Sequence, residues 1–145
     1  MTAGPRLGQL AGRRVMLASA GVGWDRQWLA DVDASFAPAG MVACRVQGGE
    51  EALQCVQRGG LSAAVFWTER RWGDGLTLLR IVRSIDVDLP CWLVGDDASR
   101  WALQEALSLR VTSILARRVG PDELTELLQR RIARTDESSG NDFGN

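Results

Sequence analysis

Residues 63–83 read AAVFWTERRWGDGLTLLRIVR. The stretch opens on an apolar run, Ala63 to Trp67. It passes through a polar loop ending Gly73-Asp74-Gly75 and then enters an amphipathic pattern, with Leu76, Leu79 and Val82 three residues apart. A short apolar run suits a buried strand, and the three-residue spacing suits one face of a helix. Strand, loop and helix in that order are the repeating unit of an α/β protein.

The same alternation continues on both sides. Toward the amino terminus, Val15–Ser19 forms a first strand after Arg13-Arg14. Trp24, Trp28, Leu29, Val32 and Phe36 give a first helix its apolar stripe, which Ala37-Pro38-Ala39-Gly40 ends. Those aromatics also fit a stacking surface for bases or partners, but their helical spacing favours core packing, with Trp24 the most exposed. Met41–Val46 is the second strand. GGEEALQCVQRGG, residues 48–60, supplies the second helix, with Ala52, Leu53 and Val56 inward and glycines as the stop.

Toward the carboxyl terminus, Asp88-Leu89-Pro90 leads into a fourth strand, Cys91–Val94. Ser99 caps a fourth helix running through Trp101, Leu103, Ala106 and Leu107. Val111–Leu115 is the fifth strand. Gly120-Pro121 opens a fifth helix with Leu124, Leu127, Leu128 and Ile132 inward. Its acidic residues come early and its arginines late, which complements the helix dipole. Residues 1–12 form a loose lead-in, and the polar, glycine-rich tail at 135–145 is expected to be disordered.

The chain has 145 residues, 46% hydrophobic and 24% charged, the usual mixture of one globular domain. A net charge of −1 gives no electrostatic case for nucleic acid or an anionic membrane. Histidine is absent, and the three cysteines (Cys44, Cys55, Cys91) are far apart with no CxxC. A histidine-dependent hydrolase and a Cys/His zinc site are thereby excluded. No stretch is apolar for long enough to act as a signal peptide or a membrane span, so a cytoplasmic protein with reduced thiols is expected. Gly21-Val22-Gly23 resembles the start of a dinucleotide-binding loop, but Arg26 stands where the third glycine belongs. A turn into the first helix is the better reading.

Over residues 13–134 the pattern resembles a bacterial response-regulator receiver domain. Three segments carry the likeness: Asp74-Gly75-Leu76, Gly49-Glu50-Glu51-Ala52-Leu53 and Glu105-Ala106-Leu107. The resemblance implies a flavodoxin-like, CheY-like three-layer (βα)5 sandwich. Its five-stranded parallel sheet would have the order 2-1-3-4-5, covered by helices on both faces. In that family an acidic pair at the end of strand 1 holds magnesium, an aspartate at the end of strand 3 accepts phosphate, and a hydroxyl, an aromatic and a Lys-Pro pair complete the site. On this sequence the acidic pair gives way to Ala18, Ser19 and Ala20, and the other positions fall at Trp67, Gly95, Ile114 and Arg117-Arg118. Two separate anchors place Trp67 at the phosphoacceptor position, and an indole neither accepts phosphate nor binds a metal.

The resemblance therefore implies a degenerate receiver, a non-catalytic signalling module that works by phosphorylation-independent protein contact or dimerisation, with no metal and no cofactor. The face of helix 4, strand 5 and helix 5, with Arg100, Trp101, Arg110 and Arg118, is the expected interface for a protein partner or a second copy. The alternative is a small-ligand sensor using the cleft at the carboxyl ends of the strands, where open α/β sheets bind ligands. An enzyme would have to build its site from Asp25, Asp74, Asp96 and Asp97. Those positions suit turns and helix caps better.

Overall fold

The structure, a computed structural model, describes residues 12–20, 24–69 and 72–143, with the backbone alone over 136–143. In chain order the elements are β1 (Arg13–Ser19), α1 (Arg26–Phe36), a 3-10 turn (Ala37–Ala39), β2 (Met41–Gln47) and α2 (Gly48–Gln57). Then come β3 (Leu61–Trp67), α3 (Trp72–Arg83), β4 (Cys91–Val94), α4 (Arg100–Ser108), β5 (Ser113–Leu115) and α5 (Pro121–Phe143). The sheet order is β2-β1-β3-β4-β5 and every pairing is parallel, as the alternation of strand and helix implies.

Successive residues of a strand face opposite sides of the sheet. In β1, Val15 and Leu17 pack with Leu29, Val32 and Phe36 of α1 and with Leu124, Leu128 and Ile132 of α5. Met16 and Ala18 pack on the other side with α2, α3 and α4. Two cores thus sandwich the sheet. Each fully buried Leu, Val or Phe stabilises the fold by about 1.5–3 kcal/mol relative to exposure. Register matters most at the upper edge, where Ser19 pairs with Trp67 and Trp67 with Val94. The carboxyl ends of β1, β3 and β4 therefore lie side by side.

Four local expectations are corrected. The polar loop expected to end at Gly73-Asp74-Gly75 ends earlier, because these residues form the first turn of α3. Trp72 is buried there, and its Nε1 donates to the Asp96 carbonyl at 3.0 Å, which anchors the helix start. Gly75 abuts Thr68, so only a residue without a side chain fits that turn. β5 begins at Ser113, not Val111, because the Val111 N–H still closes on the Ala106 carbonyl of α4.

In α4 the inward stripe is Ala102 and Ala106, while Trp101, Leu103 and Leu107 are exposed at 54%, 41% and 71%. The two alanines are four residues apart, as Leu103 and Leu107 are, and their small size lets the helix lie close on its neighbours. The fifth helix continues to Phe143, through most of the tail expected to be disordered, since no proline interrupts it after Pro121. Of the expected lead-in at 1–12, only Gly12 lies within the described residues. Gly21-Val22-Gly23 lies outside them.

Candidate functional site

The carboxyl ends of the strands carry the positions singled out in the sequence. Ser19, the last residue of β1, is buried. Trp67 ends β3 with its ring on the α1 and α5 side, half-buried. Gly95 follows β4 directly, and Ile114 of β5 pairs with Leu93 one step below the strand ends. Arg117 stands in the loop between β5 and α5. The fold thus brings Ser19, Trp67, Gly95 and Arg117 to one pole. Ile114 packs beneath them against the α2–α4 core.

Indoles dominate this pole. Trp24 precedes α1, whose N-cap Asp25 accepts from the Gln27 N–H at 2.8 Å. Trp24 stacks on Trp28, with centroids 5.0 Å apart and planes 12° from parallel. The Trp67 ring lies 4.7 Å from Trp24 and 6.2 Å from Trp28. Trp28 Nε1 donates to the Val119 carbonyl at 2.9 Å, tying α1 to the loop before α5. Aromatic pairs at such separations add roughly 0.5–1.5 kcal/mol each beyond their buried area.

Arg117 closes the cluster. Its guanidinium carbon sits 5.7 Å from the Trp67 centroid, a cation–π distance. Nη2 and Nε donate to the Thr68 carbonyl at 2.8 and 3.2 Å, and the Arg117 backbone N–H donates to Asp96 Oδ1 at 3.0 Å. The cation is therefore held across the end of β3 by the chain itself.

Sequence reasoning missed Thr68. It is fully buried, and its hydroxyl donates to the Val94 carbonyl at 2.8 Å. A methyl group built on Gly95 would overlap Thr68 Oγ1 and press on Trp72 Cζ2 at 2.9 Å. The space beside Gly95 is thus filled by Thr68 and Trp72, while the Trp67 ring lies with the α1 and α5 core. The signal was present in the sequence as a threonine directly after the strand, but nothing local marks its side chain as inward.

The four candidate carboxylates do not converge. Asp25 caps α1, Asp74 is exposed in the first turn of α3, and Asp96 receives the Arg117 N–H. Asp97 is exposed with a left-handed backbone, φ 54. Among the described residues, no three Cys, Asp or Glu side chains gather as metal ligands. The candidate interface residues Arg100, Trp101, Arg110 and Arg118 are all exposed. They are spread along α4 and beyond it: Arg100 and Arg118 lie toward the strand-end pole and Arg110 at the other end of α4. No described helix is long and apolar enough to cross a membrane.

No family model matches the sequence, and no curated protein matches it. Solved structures do share the fold. A CheY-like response-regulator receiver domain protein from Methanospirillum hungatei JF-1 superposes with a TM-score of 0.71 at 15% identity, covering 87% of this chain and 98% of that one. The signal receiver domain of a modulated diguanylate cyclase from Desulfovibrio desulfuricans G20 gives 0.67 at 19% identity, over 86% and 97%. A putative pilus assembly-related protein from Burkholderia pseudomallei K96243 gives 0.61 at 23% identity, over 85% and 92%. The chain is thus similar in fold to receiver domains over nearly their whole length.

Proposed function

We propose that the chain is a degenerate receiver, a non-catalytic module of bacterial cytoplasmic signalling that acts by contact with a protein partner and without phosphorylation. One observation supports this reading. The position that the resemblance gives to the phosphoacceptor is Trp67, whose ring lies tilted against Trp24 and Trp28 and within cation–π distance of Arg117. Phosphoryl transfer to a side chain needs a nucleophile, and a magnesium-dependent site needs oxygen ligands. Ser19, Trp67 and Gly95 supply no carboxylate, and the cation at Arg117 is engaged by the Thr68 carbonyl and the Trp67 ring.

The test is incubation with acetyl phosphate and magnesium, followed by intact mass. The expected result is no added phosphoryl group. A stoichiometric adduct mapped to the strand-end pole would overturn the reading. A small-ligand sensor at the same cleft is the competing function. Three indoles and Arg117 already occupy that region, which favours the interaction module. Native mass spectrometry of the purified protein separates the two, since a retained small molecule would favour the sensor.

A further inference from the structure

We propose that Cys44 and Cys55 form a thiol–disulfide modification site where β2 meets α2, with Cys44 as the attacking thiol, Cys55 as the resolving thiol and a small aliphatic disulfide as the oxidant. The site needs neither Trp67 nor a partner protein, so it stands apart from the interaction-module reading.

The chain path brings the two thiols level. β2 runs straight into α2: Gln47 ends the strand and Gly48, with φ 78, begins the helix. Cys44 lies three residues before Gln47, and Cys55 lies seven residues after Gly48. At ~3.3 Å per strand residue and ~1.5 Å per helix residue, each thiol sits about 10 Å from the reversal, one on the sheet and one on the helix above it. They also face the same interior. Cys44 pairs in register with Met16, and both pack in the core between the sheet and α2, α3 and α4. Cys55 is buried in that core, in the last turn of α2.

Arg14 joins the two positions. It lies on the same side of β1 as Met16. Its Nη1 donates to the Gly59 carbonyl at 3.0 Å, and the Gly59 N–H closes on the Val56 carbonyl at 3.0 Å, at the end of α2. The same guanidinium hydrogen-bonds Cys44, the largest cause of its being held above the ordinary arginine range. One side chain thus reaches from the Cys44 sulfur to the turn that closes α2 beside Cys55. Burial pushes the Cys55 thiol up, and the Cys44 charge adds to the shift, while Arg14 and Arg58 oppose it.

The two thiols differ in access. Cys44 is half-buried on β2, the edge strand, which pairs with β1 alone. Cys55 is 5% exposed. A reagent therefore meets Cys44 first. An edge strand, bonded on one side, also yields more readily than a central one as two sulfurs close to bonding distance. Cys91 is out of range: it is fully buried in β4, three strand spacings or ~14 Å across the sheet from β2.

The chemistry is two successive exchanges. The Cys44 thiolate attacks one sulfur of the reagent. A mixed disulfide forms on Cys44, the sulfur–sulfur bond of the reagent breaks and one small thiolate leaves. That removes the Cys44 charge opposing Cys55 ionisation, so the first step prepares the second. The Cys55 thiolate then attacks the Cys44 sulfur, the protein disulfide forms and the second small thiolate leaves. The two protons given up by the cysteines go to the two departing thiolates. The protein is oxidised by two electrons and the reagent is reduced to two thiols.

The test treats the native protein with excess hydroxyethyl disulfide at neutral pH, then quenches in acid, alkylates and maps the product without reduction. Trypsin leaves the three cysteines on separate peptides, 27–45, 46–58 and 84–100. The expected product has lost the mass of two hydrogens and joins peptide 27–45 to peptide 46–58. Peptide 84–100 should stay free, and alkylation of Cys91 before denaturant is added serves as the report of any unfolding. Cys55→Ser should stop at the hydroxyethyl adduct on Cys44. Cys44→Ser should react roughly tenfold or more slowly than wild type, because its remaining thiols are buried. A wild type that keeps three free thiols overturns the site, as does one whose end product is the Cys44 adduct or a linkage through Cys91. A Cys44→Ser variant that reacts as fast as wild type also overturns it. The wild-type map decides by itself should a variant fail to fold. None of these results bears on the interaction-module reading, which stands or falls on the acetyl phosphate experiment.

Discussion

Replacing Gly95 by alanine tests whether the space beside the strand ends is truly occupied. Gly95 has no left-handed backbone, so alanine meets no conformational penalty there, and the loss of unfolded-chain entropy should stabilise by roughly 0.4–1 kcal/mol. Against this stands the overlap of the new methyl with Thr68 Oγ1 and its 2.9 Å approach to Trp72 Cζ2. Thr68 cannot retreat without breaking its 2.8 Å bond to the Val94 carbonyl, worth about 1 kcal/mol. Trp72 is pinned by its bond to the Asp96 carbonyl. Overpacking of this kind costs about 1–3 kcal/mol. The balance is a destabilisation of roughly 1–3 kcal/mol, or a fall in Tm of about 3–10 °C for a chain of this size. Urea titration followed by tryptophan fluorescence and circular dichroism measures it. Thr68→Ala removes Oγ1, so in that background Gly95→Ala should cost about 1–2 kcal/mol less than in wild type. An unchanged midpoint for Gly95→Ala, or a cost that Thr68→Ala does not reduce, would refute the steric account.

Trp67→Ala should lower stability by about 2–4 kcal/mol through lost packing against Trp24 and Trp28, read from the urea midpoint. An unchanged midpoint would mean the ring contributes only surface. Cys91 is buried within β4, and that burial pushes its thiol up to about 12 from 9.0, with nearby Arg83 opposing the shift. In the unfolded chain the thiol ionises first, so stability should fall between pH 9 and about 12, by up to ~1.4 kcal/mol per pH unit, and stay level below pH 9 as far as this group is concerned. Cys91→Ala should abolish that alkaline loss, and an identical pH profile in both proteins would contradict the assignment. Native Cys91 should also resist thiol reagents at neutral pH, with labelling appearing only in denaturant.

Much of the fold was legible because periodicity and turn chemistry agree over long stretches. The apolar runs at Val15–Ser19, Ala63–Trp67 and Cys91–Val94 alternate with helical stripes, and right-handed parallel crossover then leaves few topologies. Ser99 signalled a helix start, and its cap forms as local chemistry dictates. The misreadings have a common cause in tertiary packing. Gly73-Asp74-Gly75 reads as a loop by propensity, yet Trp72 buries itself and Gly75 permits a close approach that only the folded chain reveals. In α4 the pairs Leu103/Leu107 and Ala102/Ala106 have the same four-residue spacing, and the smaller pair faces inward. At the site, the row Ser19, Trp67, Gly95 and Arg117 was readable from register alone. That Thr68 fills the room beside Gly95 was not, because the direction of a side chain just past a strand end depends on its neighbours.

Arg83 gives α4 an asymmetric mechanical character. Its Nε donates to the Leu109 carbonyl at 2.7 Å, Nη1 to the Asp86 carbonyl at 3.0 Å and Nη2 to the Arg110 carbonyl at 3.1 Å. One planar guanidinium thus ties the carboxyl end of α4 to the turn beyond α3, while at the opposite end Ser99 Oγ accepts from the Ala102 N–H at 3.1 Å. The carboxyl end of α4 is thus the more heavily tethered of the two: a partner docking at Arg110 would meet the better-fixed end of the helix, and one docking at Trp101 the end with fewer ties.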